Sequence, residues 1–392
     1  MGEVDKRRAR EHGIVLFEDR LIYEAQPPIN ESVLSQIEAK CAGPLPDALK
    51  KLWGEAFGGK LDYALEIQLG GQIVEFSFAE LFFPDSDGYR DLWGWIDHEV
   101  DLAQQVSNDH GRPFDGVLRY LPIGGFEYTD RLYVCVEPGP EYGSVHAWMQ
   151  GLPPAWVLRL HDDHVGRVAR DIQDLFRQLD LEEDPFGSEG DEFRNGISMA
   201  ECLDEVAKSD AELADQLQEL VKSSVVTWRA AIRDLSFSRS PRATRIAIMN
   251  FVMYDDRAGL EQLERLGCSL AQPLRGGGNA LDLALAHGHL ALADWLLSKG
   301  LDAESAVSSG ASSSPVGMVL KLLAAGGRPD AIAVRSACLA GLHDSAVAIA
   351  AALPSDELRD LINSLDPSKF GGNWAKIEAL RNACMAIDQR RH

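Results

Sequence analysis

The apolar positions of this 392-residue chain change period along its length, and the changes mark out two kinds of structure. Residues 1–29 hold no sustained period and read as a polar arm that ends at Gln26-Pro27-Pro28. From Asn30, a good N-cap, Val33, Leu34 and Ile37 fall on one face of a helix, and residues 48–53 repeat that period until Gly58-Gly59 stops it. The period then drops to two. Tyr63, Leu65, Ile67 and Leu69 alternate with small or polar residues, Gly70-Gly71 supplies a hairpin turn, and residues 73–78 return as a strand. Residues 117–123, 131–137 and 144–149 are three further strand signals, and a closing helix is expected from about His164 through Val168, Ile172, Leu175, Phe176 and Leu179. Helices at both ends with strands between them predict an α+β domain over residues 30–181.

Beyond it, residues 182–209 are acidic, with Glu182-Glu183-Asp184-Pro185, and read as an exposed linker. Helical periodicity resumes from Ile197 to Trp228, so residues 210–240 are expected to form a helical connector, and Pro241 marks a fresh start. Residues 241–392 announce a repeat. Leu263-Glu264-Arg265-Leu266-Gly267 and Leu296-Leu297-Ser298-Lys299-Gly300 each end a helix with glycine, 33 residues apart. A third unit is expected at residues 319–326 and a fourth at 337–343.

Two resemblances attach to these segments. Residues 279–289, Asn-Ala-Leu-Asp-Leu-Ala-Leu-Ala-His-Gly-His, resemble the ankyrin repeat pattern, with Asn279, Ala280 and Asp282 in place of its Thr, Pro and His. The earlier segment resembles the SUKH superfamily of bacterial immunity proteins. Leu45-Pro46, a short helix and Phe57-Gly58-Gly59 are similar to its opening run, and Leu121-Pro122-Ile123-Gly124 followed by residues 130–136 is similar to its central element. Gly143-Ser144-Val145-His146-Ala147-Trp148 is similar to its "Gly-x-Val-aromatic-x-Trp" strand, and residues 172–179 to its terminal helix. The implied architecture is a SUKH-type mixed α/β domain followed by an all-α ankyrin-like solenoid. The implied activity is neutralisation of a bacterial toxin by binding, without catalysis and without a cofactor.

Charge sharpens that picture. Of the net −23, residues 1–180 carry 31 acidic against 17 basic side chains, residues 181–220 carry 13 against 2, and residues 221–392 carry 17 against 19. The steepest stretch, residues 61–110, has eleven acids and Arg90 as its one base. Such a field repels phosphate backbones and attracts cationic surfaces, so nucleic acid is excluded as a direct ligand and a basic protein is favoured. No apolar run is long enough to cross a membrane, and no two of the six cysteines stand at metal or redox spacing. A reducing, cytoplasmic location follows as the expectation.

Local patterns that invite enzymatic readings fail on context. Gly54-x-x-x-x-Gly59-Lys60 has phosphate-loop spacing, but Leu61 stands where a Ser or Thr is needed, and a helix precedes it where a strand is required. His161-Asp162-Asp163-His164 point to different sides along the chain and suit a helix start better than a metal ion. His287 and His289 flank a repeat glycine and read as structural. No Gly-x-Ser-x-Gly elbow is present. The site candidate is instead a partner-binding face on residues 81–101, with Asp85, Asp87, Asp91, Asp97, Glu99 and Asp101 interleaved with Tyr89, Trp93 and Trp95. Aromatics anchor an interface, and carboxylates draw in a cationic partner. The partner expected is a basic toxin that acts on nucleic acid, its cleft occluded by the acidic face; the alternative is a repeat-based scaffold or regulatory adaptor.

Overall fold

In the computed structural model of the chain, every strand among the described residues falls in the first 227, and the regular elements beyond them are helices. It describes residues 4–87, 89–111, 113–127, 129–150, 156, 165–187, 195–234, 241–365 and 374–391. Contacts divide the chain into two compact units, Met1–Thr227 and Trp228–His392.

The first unit runs α1 (Lys6–Glu11), β1 (Val15–Phe17), β2 (Arg20–Ile22), α2 (Glu31–Glu38), α3 (Asp47–Glu55), β3 (Gly59–Lys60), β4 (Leu65–Leu69), β5 (Gln72–Phe76) and β6 (Glu80–Leu81). It continues with α4 (Leu92–His110), β7 (Tyr120–Phe126), β8 (Asp130–Cys135), β9 (Val145–Met149), β10 (Val165–Ala169), α5 (Ile172–Gln178), α6 (Ile197–Ala207) and α7 (Ala211–Ser223). Six strands form one antiparallel sheet in the order β10-β9-β8-β7-β6-β3. β4 and β5 form the expected separate hairpin, with Leu69 opposite Gln72. Gly70 and Gly71 both take positive φ there, which a tight two-residue turn demands and glycine supplies without strain. Asn30 caps α2 as anticipated, its side chain accepting the Val33 N–H at 2.9 Å.

The central strands have two unlike faces. Leu121, Ile123, Leu132, Val134, Val145 and Ala147 point into an apolar core shared with Leu49, Leu52 and Trp53 of α3 and Ile172, Leu175 and Phe176 of α5. Each such side chain taken from water contributes roughly 1.5–3 kcal/mol before entropy is charged against it. The opposite face carries Tyr120, Arg131, Tyr133, His146 and Trp148, set side by side by the register Arg131 to Trp148 and Tyr133 to His146. α4 lies on that face.

Several expectations need correction. Residues 1–29 are not an arm: Ile14, Phe17, Leu21 and Ile22 are buried in the core, and Arg8 of α1 pairs with Asp210 at 2.5 Å. Hairpin β1–β2 has too few residues for a period to show. The helix expected from His164 is preceded by β10, which pairs with β9, and α5 starts only where Asp171 accepts the Asp174 N–H at 2.8 Å. Nineteen-residue α4 was not foreseen. In residues 182–209, α6 is no linker, because Met199, Leu203 and Val206 join the first unit's core and Asp62 accepts the Ser198 N–H at 2.8 Å. The connector at 210–240 is divided, α7 packing on α6 and the next helix belonging to the second unit.

The second unit comprises α8 (Trp228–Asp234), α9 (Pro241–Met253), α10 (Arg257–Arg265), α11 (Ala280–Ala286), α12 (Leu290–Ser298), α13 (Ala306–Ser309), α14 (Val316–Ala324), α15 (Ala331–Leu339), α16 (His343–Ala352), α17 (Ser355–Ser364) and α18 (Trp374–Arg391). From α9 on, consecutive helices pack in pairs. First members touch first members along α9, α11, α13, α15 and α17, and second members touch along α12, α14, α16 and α18. Polar side chains tie pair to pair: Asn279 Nδ2 donates to the Asp302 carbonyl at 2.8 Å, Ser309 Oγ to Asp282 at 3.0 Å, Ser313 Oγ to the Leu285 carbonyl at 2.6 Å and Ser345 Oγ to the Ser314 carbonyl at 2.9 Å. The 33-residue step from Gly267 to Gly300 shortens to 26 at Gly326, because α13 has only four residues.

Candidate functional site

The segment singled out for partner binding is a loop leading into a helix, and the helix decides which of its residues face outward. Asp91 caps α4, its Oδ1 accepting the Gly94 N–H at 2.7 Å and its Oδ2 the Asp85 N–H at 3.4 Å. Leu92, Trp95, Ile96, Glu99 and Val106 then fall on the buried side at helical spacing, while Asp97, Asp101 and Asp109 fall on the exposed side.

The nine predicted residues therefore separate. Asp85, Asp87, Tyr89, Asp97 and Asp101 are exposed, Tyr89 with 59% of its surface in solvent. Asp97 lies 3.7 Å from Lys40, whereas Asp85, Asp87 and Asp101 form no ion pair among the described residues. Asp91 and Trp93 are half-buried, Asp91 being committed as a cap. Trp95 and Glu99 are 1% and 3% exposed and are corrected from surface to core. Arg90, the one cation of the acidic stretch, lies 5.4 Å over the Tyr89 ring and 5.8 Å over Trp95, joining the exposed aromatic to the buried one.

Beneath this face is a buried polar chain that the sequence reading missed. The Arg131 guanidinium is fully enclosed, 4.1 Å from the Trp95 ring centroid and 4.4 Å from that of Trp148. Its Nε donates to the Tyr133 hydroxyl at 2.8 Å, and that hydroxyl donates to Glu99 Oε1 at 2.8 Å. Aromatic faces on both sides and a shared hydroxyl offset the several kcal/mol that desolvating each charge costs. Burial raises the Glu99 carboxyl above its usual range, although Arg131 and Tyr133 pull it down. Burial likewise drives the Tyr133 hydroxyl well above 10. His98 is pushed down to about 4 by burial, and by the charges of Arg90 and Arg131. The available signal was alternation in β8: a charge at 131 and a phenol at 133 share one strand face, opposite Leu132 and Val134.

The phosphate-loop pattern fails on its geometry. Gly54 lies within α3, Lys60 is in β3 and pairs with Glu24 at 2.7 Å, and no phosphate loop joins them. The His161–His164 cluster lies outside the described residues. Among those described, no three His, Cys, Asp or Glu side chains gather as metal ligands, and no helix is long and apolar enough to cross a membrane. The six cysteines are free thiols. His287 and His289 stack 5.9 Å apart at the turn between α11 and α12, with His289 Nε2 3.1 Å from the Met253 carbonyl, a contact between helix pairs. No protein-family model matches the chain, and no curated protein matches it.

Proposed function

We propose that the chain is an immunity-type binding protein that captures a basic protein toxin and covers its active cleft. The observation that carries this reading is the division of charge at the unit boundary: 44 acidic against 20 basic side chains up to Thr227, and 17 against 18 beyond it. The whole net charge belongs to the unit whose motifs resemble SUKH proteins. Exposed Asp85, Asp87, Asp97 and Asp101 around Tyr89 form the face we assign to the partner. A toxin that cuts or modifies nucleic acid must carry a positive cleft, which this surface complements. The paired helices, read as ankyrin-like repeats, add contact area in a form that commonly binds proteins.

The experiment is co-expression with the product of the adjacent gene. Rescue of growth and a co-purifying complex, with affinity that falls between about 0.05 and 0.5 M salt, support the proposal. Salt-insensitive binding, or normal growth without this protein and no complex, refutes it. An adaptor is the second reading, favoured by the exposed Tyr254 and Ile332 (75% and 68%) on the near-neutral second unit. It requires several moderate partners instead of one very tight one.

A further inference from the structure

Of the two members of the predicted face that the fold turns inward, Trp95 and Glu99, the second borders open space. It lines a half-open pocket of about 210 Å³ between α4, the segment leading into β7, and Trp156. The remaining walls are mainly apolar, with Ala103 and Val106 on α4, Phe114 before β7, and Tyr120 on β7. Tyr120 and Trp156 stack at 4.1 Å with their planes 19° apart, and Tyr133 meets Trp156 edge-on at 4.9 Å, so the aromatic wall is braced from behind.

The carboxyl is built to accept one more hydrogen bond. Its Oε1 takes the Tyr133 hydroxyl, and Oε2 accepts no hydrogen bond among the described residues, although the side chain is 97% withdrawn from solvent. A carboxyl oxygen without a protein partner beside a mainly apolar pocket is a specificity feature, because an entering N–H donor finds an acceptor there. A cavity near 150 Å³ suffices for benzene, so this one accommodates one or two fused rings.

We infer that this cavity is a binding site for a small, neutral aromatic molecule carrying an N–H donor, held by ring contact with Phe114, Tyr120 and Trp156 and by an N–H···O bond to Glu99. A cationic ligand is disfavoured by the Arg131 guanidinium, which reaches the same carboxyl through Tyr133 and already balances its charge. The site is independent of the proposed toxin-binding role, which uses the outward face of α4.

Indole is the probe, titrated calorimetrically into the whole chain alongside 1-methylindole, which keeps the rings and lacks the donor, and benzylamine, which is cationic. Indole is expected to bind with a Kd below about 1 mM, 1-methylindole about tenfold more weakly, and benzylamine not at all in that range. Val106→Trp, which fills the cavity from α4, is expected to abolish indole binding; Ala103→Leu serves the same purpose if the larger side chain prevents folding. Absence of indole binding to the wild type, equal binding of indole and 1-methylindole, tighter binding of benzylamine, or undiminished binding to a folded cavity-filled variant would each overturn the inference.

Discussion

Tyr133→Phe tests the buried polar chain with the least disturbance to packing. The ring stays, including its edge contact with Trp156, and only the oxygen that links Arg131 to Glu99 is lost. Two hydrogen bonds of 2.8 Å disappear, each to a charged or chargeable partner and worth roughly 1.5–3 kcal/mol, while both partners stay desolvated. The expected cost is about 3–5 kcal/mol, the range for breaking a buried ionic contact. In equilibrium urea unfolding of the whole chain, followed by near-ultraviolet circular dichroism of the enclosed tryptophans, that is a midpoint shift of roughly 1–2 M. The pH dependence has a definite sign. Burial raises the folded-state Glu99 carboxyl above its unfolded value of 4.5, so its contribution to stability is whole below that value and is lost as pH rises through the folded one. The Tyr133 hydroxyl supports the carboxylate form, so removing it raises the carboxyl further, and the penalty must be larger at pH 8 than at pH 5. In Glu99→Gln/Tyr133→Phe that pH dependence of the penalty should vanish. A cost under about 1 kcal/mol, flat from pH 5 to 8, would refute the linkage.

Other consequences can be checked with the same chain. His98, held at about 4 by burial, stabilises the fold above its unfolded value of 6.5 and ceases to as pH falls through 4. His98→Gln should therefore remove up to one proton's worth of slope, about 1.4 kcal/mol per pH unit, from stability measured between pH 6.5 and 4. Gly125→Ala should leave no folded first unit in hydrogen exchange, since at φ +150° an added Cβ would stand 1.9 Å from the Asp130 carbonyl oxygen and neither backbone can yield. Deleting residues 1–23, harmless if they were an arm, should expose the core that Ile14, Phe17, Leu21 and Ile22 complete, and a protease-resistant first unit after the deletion would contradict the fold. Asn279→Ala should cost about 1–2 kcal/mol in the second unit, measured by thermal unfolding at 222 nm, because it removes both the cap of α11 and the bond to the Asp302 carbonyl.

What could be read from the chain alone follows the range over which each feature is encoded. The β4–β5 hairpin, the Asn30 cap and the glycines closing α10 and α12 depend on residues within a few positions of each other, and the sequence shows them directly. β10 escaped because Val165-Gly166-Arg167-Val168-Ala169 becomes a strand only when the free edge of β9 is beside it. α4 escaped for a different reason. Its inward stripe carries Trp95 and Glu99, so the apolar face includes a carboxyl, and interleaved acids and aromatics looked like one surface. A helix resolves that mixture by angle: residues four apart share a face, so 95 and 99 go inward while 97 and 101 go outward. Why a carboxyl is tolerated inside is legible only with β8 in place, since Arg131 and Tyr133 are more than thirty residues from Glu99 in sequence and meet it only across the sheet. The acidic face assigned to the partner and the inward Glu99 are thus two products of one helical segment, and substitutions at 97 or 101 should alter partner association while leaving the cavity intact.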